Sequence, residues 1–234
     1  MGAGDIVAEM VAFPVNGGTT PGYLARPAAN GRFPAVVVIQ EWWGLVPHIK
    51  DVAERFARAG YVALAPDLYH GQAAAEPDEA RKLAMSLEIP RALQEIRAAA
   101  RYLADMPQVA GKGVGVIGWC MGGRLAWQTA VSPGDAPVGA VVAFYGRPPT
   151  EAEAIAQITV PVLGIFAEHD HGIPLEAVET VRNLLGQQGK TYEIHVYPGT
   201  QHAFFNDTRP HIYNAEAATD AWEKTLAWFG RYLS

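Results

Sequence analysis

Short runs of apolar, β-branched residues alternate along this chain with longer segments whose apolar positions recur every three or four residues. The short runs, candidate strands, cover residues 35–40, 61–65, 114–118, 138–145, 160–167 and 192–197. Several, such as AVVVIQ, are apolar without alternation, as in strands covered on both faces. Among the longer segments, Pro47 opens a helix with Ile49, Val52 and Phe56 on one face, and Gly60 closes it. Pro90 opens another, striped by Leu93, Ile96, Ala100 and Leu103, and Ala218, Trp222, Leu226, Phe229 and Leu233 stripe a long final helix. This alternation predicts an α/β fold: a mostly parallel central sheet with helices on both faces, in a single domain over residues 1–234. The opening segments IVAEMVAFPV and TPGYLARP read instead as an antiparallel hairpin at one edge.

Charge and composition narrow the partners. The net charge of −6 comes with no block of Lys or Arg, which argues against nucleic acid or an anionic membrane surface. No apolar run approaches the length of a membrane span, and the start MGAGDIVAEM lacks a basic-then-apolar leader. It begins Met-Gly, but Ile6 stands where a myristoylation signal needs Ser or Thr. A lone cysteine forms no internal disulfide, so a cytoplasmic protein is expected; nothing in the residues sets an oligomeric state, and a monomer stands only as the default.

That one cysteine sits in GVIGWCMGG, at a predicted strand end. Gly118-Trp119-Cys120-Met121-Gly122 has the pattern of a nucleophile elbow with Cys in place of Ser, where a sharp strand-to-helix turn demands small neighbours. The helix that follows aims its N–H groups at the sulfur and favours thiolate. Taken alone, Cys120 reads first as small buried filler, since a free cysteine is usually buried and inert. A phosphate loop is disfavoured, because no Lys-Ser/Thr follows Gly123. Two later loops change the balance: FAEHDHGIP puts Asp170, and PGTQHAFFN puts His202, just past predicted strands. Nucleophile, acid, histidine is the chain order of an α/β-hydrolase triad. In QEWWGLVPHI, the loop after the first core strand normally supplies a second oxyanion N–H, here that of Trp42. Glu41 beside it opposes thiolate formation, and Trp43 offers an aromatic wall.

The motifs QEWWG, PDLYHG, GVIGWCMGG, AFYG, EHDHGIP and GTQHAFFN, spread from Gln40 to Asn206, resemble the dienelactone hydrolase (carboxymethylenebutenolidase) family. The resemblance implies an α/β-hydrolase fold and opening of an enol-lactone through a thioester acyl-enzyme, without cofactor or metal. It implies Cys120, His202 and Asp170 as the triad, the N–H groups of Trp42 and Met121 as the oxyanion hole, and Glu41 as a carboxylate that gates the thiol. It also implies two arginines for a substrate carboxylate, one shortly after the catalytic histidine. Here Phe205 and Asn206 follow instead, and Arg209, Arg81 and Arg147 are the candidates, with Tyr145 and Trp43 as further substrate contacts. A small lactone or ester is the expected partner. The alternatives are an esterase of other specificity on the same triad, a metal enzyme built on Glu168-His169-Asp170-His171, and a non-catalytic scaffold. A redox role for Cys120 ranks below these, since no second cysteine can resolve it.

Overall fold

The structure is a computed structural model that describes residues 4–234; the amino-terminal Met-Gly reading lies outside them. Eight strands form one sheet: β1 (Ile6–Val15), β2 (Gly18–Pro27), β3 (Phe33–Ile39), β4 (Val62–Pro66), β5 (Val109–Trp119), β6 (Val138–Phe144), β7 (Val162–Ala167) and β8 (Tyr192–Tyr197). Their order is β1-β2-β4-β3-β5-β6-β7-β8. From β4 onward every pairing is parallel, while β1 and β2 pair antiparallel with each other and β2 antiparallel with β4. The hairpin read from the opening segments therefore lies at the edge where it was expected.

Among the described residues, seven helices cover the sheet: α1 (Pro47–Arg58), α2 (Pro77–Ser86), α3 (Ile89–Ala104), α4 (Met121–Val131), α5 (Ala152–Gln157), α6 (Leu175–Gln187) and α7 (Ala215–Leu233). On one face α1 meets α7, with Phe56 4.6 Å from Trp222 and 6.1 Å from Phe229 between ring centres. On the other, α3 packs against α4, and α4 against α5. The runs Val36–Ile39 and Val141–Phe144 are wholly buried, as strands covered on both sides must be. Helices α2 and α5 bury a single residue each, Ala80 and Ile155, so no apolar stripe marks them in the sequence. Helix α6 buries Val178, Val181 and Leu185, a spacing the sequence does contain.

Parallel strands all end on the same side, so the loops after β3, β4, β5, β6, β7 and β8 gather there. Those loops carry Glu41–Trp43, Asp67–Tyr69, Cys120, Tyr145, Asp170 and His202 respectively.

Candidate active site

Backbone strain marks the end of β5. Cys120 has φ 58° and ψ −117°, a conformation that L-residues other than glycine seldom adopt, and it caps the amino terminus of α4. The turn is held by Cys120 N–H donating to the Phe144 carbonyl at 3.0 Å and Arg124 N–H donating to the Cys120 carbonyl at 3.1 Å. The glycines are required by close approach. A Cβ on Gly118 would lie 2.1 Å from the Gly122 carbonyl oxygen, and one on Gly122 would lie 2.5 Å from the carbonyls of Ile39 and Gln40. The thiol is left partly exposed at the crest.

Beyond β7, Asp170 is buried and fully engaged. Its Oδ1 accepts from the N–H groups of Gly172 and Ile173 at 2.8 and 3.2 Å, while Oδ2 lies 2.6 Å from His202 Nδ1. The two backbone bonds fix the rotamer, so the carboxylate presents one oxygen to the imidazole. His202 Nε2 is then left for the thiol. Burial works to lower the His202 pKa, but hydrogen bonding to Asp170 and Cys120, with the charges of both, outweighs it and lifts the value to about 10. These partners therefore favour a protonated ring, anchored by the Asp170 carboxylate. Tyr145, with φ 33°, lies under the ring at 5.0 Å between centres.

Glu41 has a different environment. It is 1% exposed, and its Oε2 accepts from Asn206 Nδ2 at 3.0 Å. Asn206 Oδ1 is in turn held by Thr208, through its N–H at 3.0 Å and its hydroxyl at 2.6 Å. Burial raises the Glu41 pKa to about 7, only partly offset by the Asn206 amide and the positive charges of His202 and Arg209. The carboxyl thus titrates in the working range. Among the described residues, neither Trp42 N–H, in the loop after β3, nor Met121 N–H, at the first position of α4, donates to a protein acceptor.

The remaining candidates divide. Arg209 stacks over the Trp43 ring at 4.9 Å, and Trp43 meets Trp42 edge-on at 5.2 Å, so a cation and an aromatic wall sit beside Glu41. Trp43 and Arg209 border a cavity of about 230 Å³ with Asn206 and Thr208. A second cavity, about 320 Å³, opens over Asp170 and His202. Arg81 does not join them. It projects from α2, its side chain 64% exposed, and its carboxylate partner is Asp78 at 3.5 Å. Helix α2 buries only Ala80, so nothing draws Arg81 inward. Tyr145 also departs from the expected substrate contact: it is fully buried, packed between Phe144, Phe204 and His202, and supports the imidazole. Arg147 is exposed and lines a separate cavity with Arg124 and Trp127. Glu168, His169, Asp170 and His171 do not converge as ligands; among the described residues no three His, Cys, Asp or Glu side chains could hold a metal ion. Sequence reading missed the Asn206–Thr208 support of Glu41 and the hydroxyl of Tyr69. Asn206 carried a signal only as the residue standing where an arginine was expected.

A mostly parallel sheet with a strained elbow after β5 and a histidine after the last strand defines an α/β-hydrolase. The chain belongs to the dienelactone hydrolase family, whose model matches residues 20–233, and it is a hydrolase. It is 36% identical over 234 residues to "Protein usf" of Aquifex pyrophilus, covering 97% of this chain and 100% of that one. It is 37% identical over 242 residues to a "Putative carboxymethylenebutenolidase" of Synechocystis sp., covering 96% and 97%. Among solved structures, the "Putative Dienelactone Hydrolase" of Klebsiella pneumoniae subsp. pneumoniae superposes with a TM-score of 0.88 at 33% identity, covering 97% of this chain and 100% of that one. No helix among the described residues is long and apolar enough to cross a membrane.

Proposed function

We propose that this chain is a single-domain thiol hydrolase that opens enol-lactones of the dienelactone type through Cys120, His202 and Asp170. The observation that carries this reading is the strained Cys120 at the head of α4, with the Asp170–His202 bond of 2.6 Å beside it. In the first half-reaction His202 takes the thiol proton as Sγ adds to the lactone carbonyl, and the N–H groups of Trp42 and Met121 receive the oxyanion. Collapse breaks the ring C–O bond, His202 gives its proton to the departing enolate oxygen, and a thioester remains. Water, deprotonated by His202, then adds to the thioester; Sγ leaves, and the product carboxylate is released. Asp170 holds the imidazole in one orientation throughout. Glu41, neutral below about pH 7 and charged above it, sets how readily the resting thiol ionises. Arg209, stacked on Trp43, reads a substrate carboxylate. A cytoplasmic role in breaking down aromatic compounds fits this chemistry.

One observation favours a second specificity. The position four residues after His202 holds neutral Asn206, and Arg81 stands in solvent, so a single arginine remains near the site. An esterase acting on small neutral esters would use the same triad. Hydrolysis of cis- and trans-dienelactone beside p-nitrophenyl acetate, with and without prior iodoacetamide, decides between them. Fast, alkylation-sensitive loss of dienelactone supports the first reading, and activity on the neutral ester alone supports the second. Cys120→Ala is expected to abolish turnover of both with the fold intact; retained turnover overturns the triad.

A further inference from the structure

The oxyanion loop after β3 is short, buried at one end and strained by neither glycine nor proline until Gly44, so something must hold its peptides in place. Each peptide plane from residue 41 to 43 has a tether. The Glu41 carbonyl, in the same plane as Trp42 N–H, accepts only a long bond of 3.4 Å from Gly44 N–H. The Trp43 carbonyl accepts from Ala74 N–H at 2.9 Å. Between them, the Trp42 carbonyl has no backbone donor; its partner is the phenol of Tyr69 at 3.0 Å. The phenol oxygen also lies 3.4 Å from Met121 Sδ, so one hydroxyl touches both residues assigned above to the oxyanion hole.

Tyr69 is itself immobilised. Its ring is nearly buried, and the turn that carries it is clamped from both sides. Asp67 accepts from Tyr69 N–H at 3.2 Å and Gly71 N–H at 2.7 Å, and Gln40 Oε1 accepts from Leu68 N–H at 3.0 Å. Gln40 directly precedes the oxyanion loop, so the restraints form a closed circuit: Gln40 to the β4 turn, the β4 turn to Tyr69, and Tyr69 back to Trp42.

We propose that Tyr69 is a positioning residue for the oxyanion hole: its hydroxyl holds the Trp42 carbonyl, in the peptide that follows Trp42, against the β4 turn, and by restraining Trp42 from that side keeps its N–H, in the preceding peptide, aimed at the carbonyl oxygen of the substrate. The inference rests on the reading of Cys120 as nucleophile. Two N–H groups stabilise a developing charge only when both are aimed before the reaction, because swinging a peptide into line during the step costs the advantage of a preorganised site. Burial, with the negative charge of Cys120 nearby, raises the Tyr69 pKa, so the hydroxyl stays protonated and donates across the working pH range.

Tyr69→Phe keeps the ring and removes only the hydroxyl. The measurements are kcat and KM on p-nitrophenyl acetate, the pre-steady-state acylation rate, and the rate of Cys120 alkylation by iodoacetamide. Alkylation forms no oxyanion, so it reports thiol activation and also counts folded, competent sites. The expected result is a fall in acylation rate of about 10- to 100-fold, below the cost of deleting an oxyanion donor outright. KM and the pH midpoint should stay in place and alkylation within about twofold of wild type. Acylation at the wild-type rate, or alkylation falling in parallel with acylation, overturns the proposal. Failure of Cys120→Ala to abolish turnover would instead remove the reading beneath it, so the two failures are distinguishable.

Discussion

Two buried carboxylates flank the same thiol–imidazole pair, and their surroundings assign them opposite work. Asp170 receives two backbone N–H groups and an imidazole, so every lone-pair direction it needs is met by a donor. Glu41 receives one neutral amide, from Asn206, and is otherwise enclosed. A charged acid is held in place by donors; an acid short of donors holds its proton. The first makes a fixed counter-ion for His202. The second makes a titrating group, at about pH 7, beside the candidate nucleophile. The residue types are nearly alike, and the number of donors separates them.

The widest gap should appear on removing the Asp170 charge. Asp170→Asn is expected to lower kcat about 10³- to 10⁴-fold, by leaving the imidazole in the wrong tautomer without its counter-ion. A loss under tenfold would erase the distinction between the two acids.

Glu41→Gln should act through pH instead. Above about pH 7 the wild-type carboxylate opposes thiolate, so the variant should alkylate several-fold faster at pH 8 and equally at pH 6. Stability follows the same titration. The Glu41 pKa is raised on folding from 4.5 to about 7, so its contribution is fully present below about pH 4.5 and lost as pH rises through 7. Glu41→Gln should therefore gain stability over wild type at pH 8, on the order of 3 kcal/mol at most, and little at pH 4.5, as read by urea denaturation. Profiles that overlay those of wild type would show that the charge of Glu41 does not reach the thiol.

The smallest effects lie at the rim. Arg209→Met should raise KM for a carboxylated lactone about tenfold, the scale of one charge-assisted hydrogen bond, and leave neutral esters unchanged. Arg81→Ala should change stability by less than about 0.5 kcal/mol and activity by less than about twofold, because its only ion pair is with an exposed neighbour. A carboxylate-specific loss in Arg81→Ala would return that residue to the site.

Chemistry tied to the backbone was legible before any coordinates. The glycines around Cys120 are there because a Cβ would strike the Gly122, Ile39 or Gln40 carbonyls, and such a demand leaves a local spelling. The central strands were equally plain, because burial on both faces permits little but apolar residues. Helices α2 and α5 were not, since a helix that buries one residue has no periodicity to read. Arginines at the rim were the least legible of all. A long side chain on a loop or an exposed helix can reach several places, and only packing decides which.

The sequence by itself determined the central strands, the edge hairpin, the helices α1, α3 and α7, the elbow, and the succession of cysteine, acid and histidine, because each rests on short-range rules of turn geometry and apolar spacing. Tertiary structure alone decided that Asn206, 165 residues from Glu41, is its hydrogen-bond donor, that Tyr69 reaches the Trp42 carbonyl, that Tyr145 lies under the imidazole, and that Arg81 faces solvent. Burial and hydrogen-bond partners are properties of what the fold brings together, and they set the charge of Glu41.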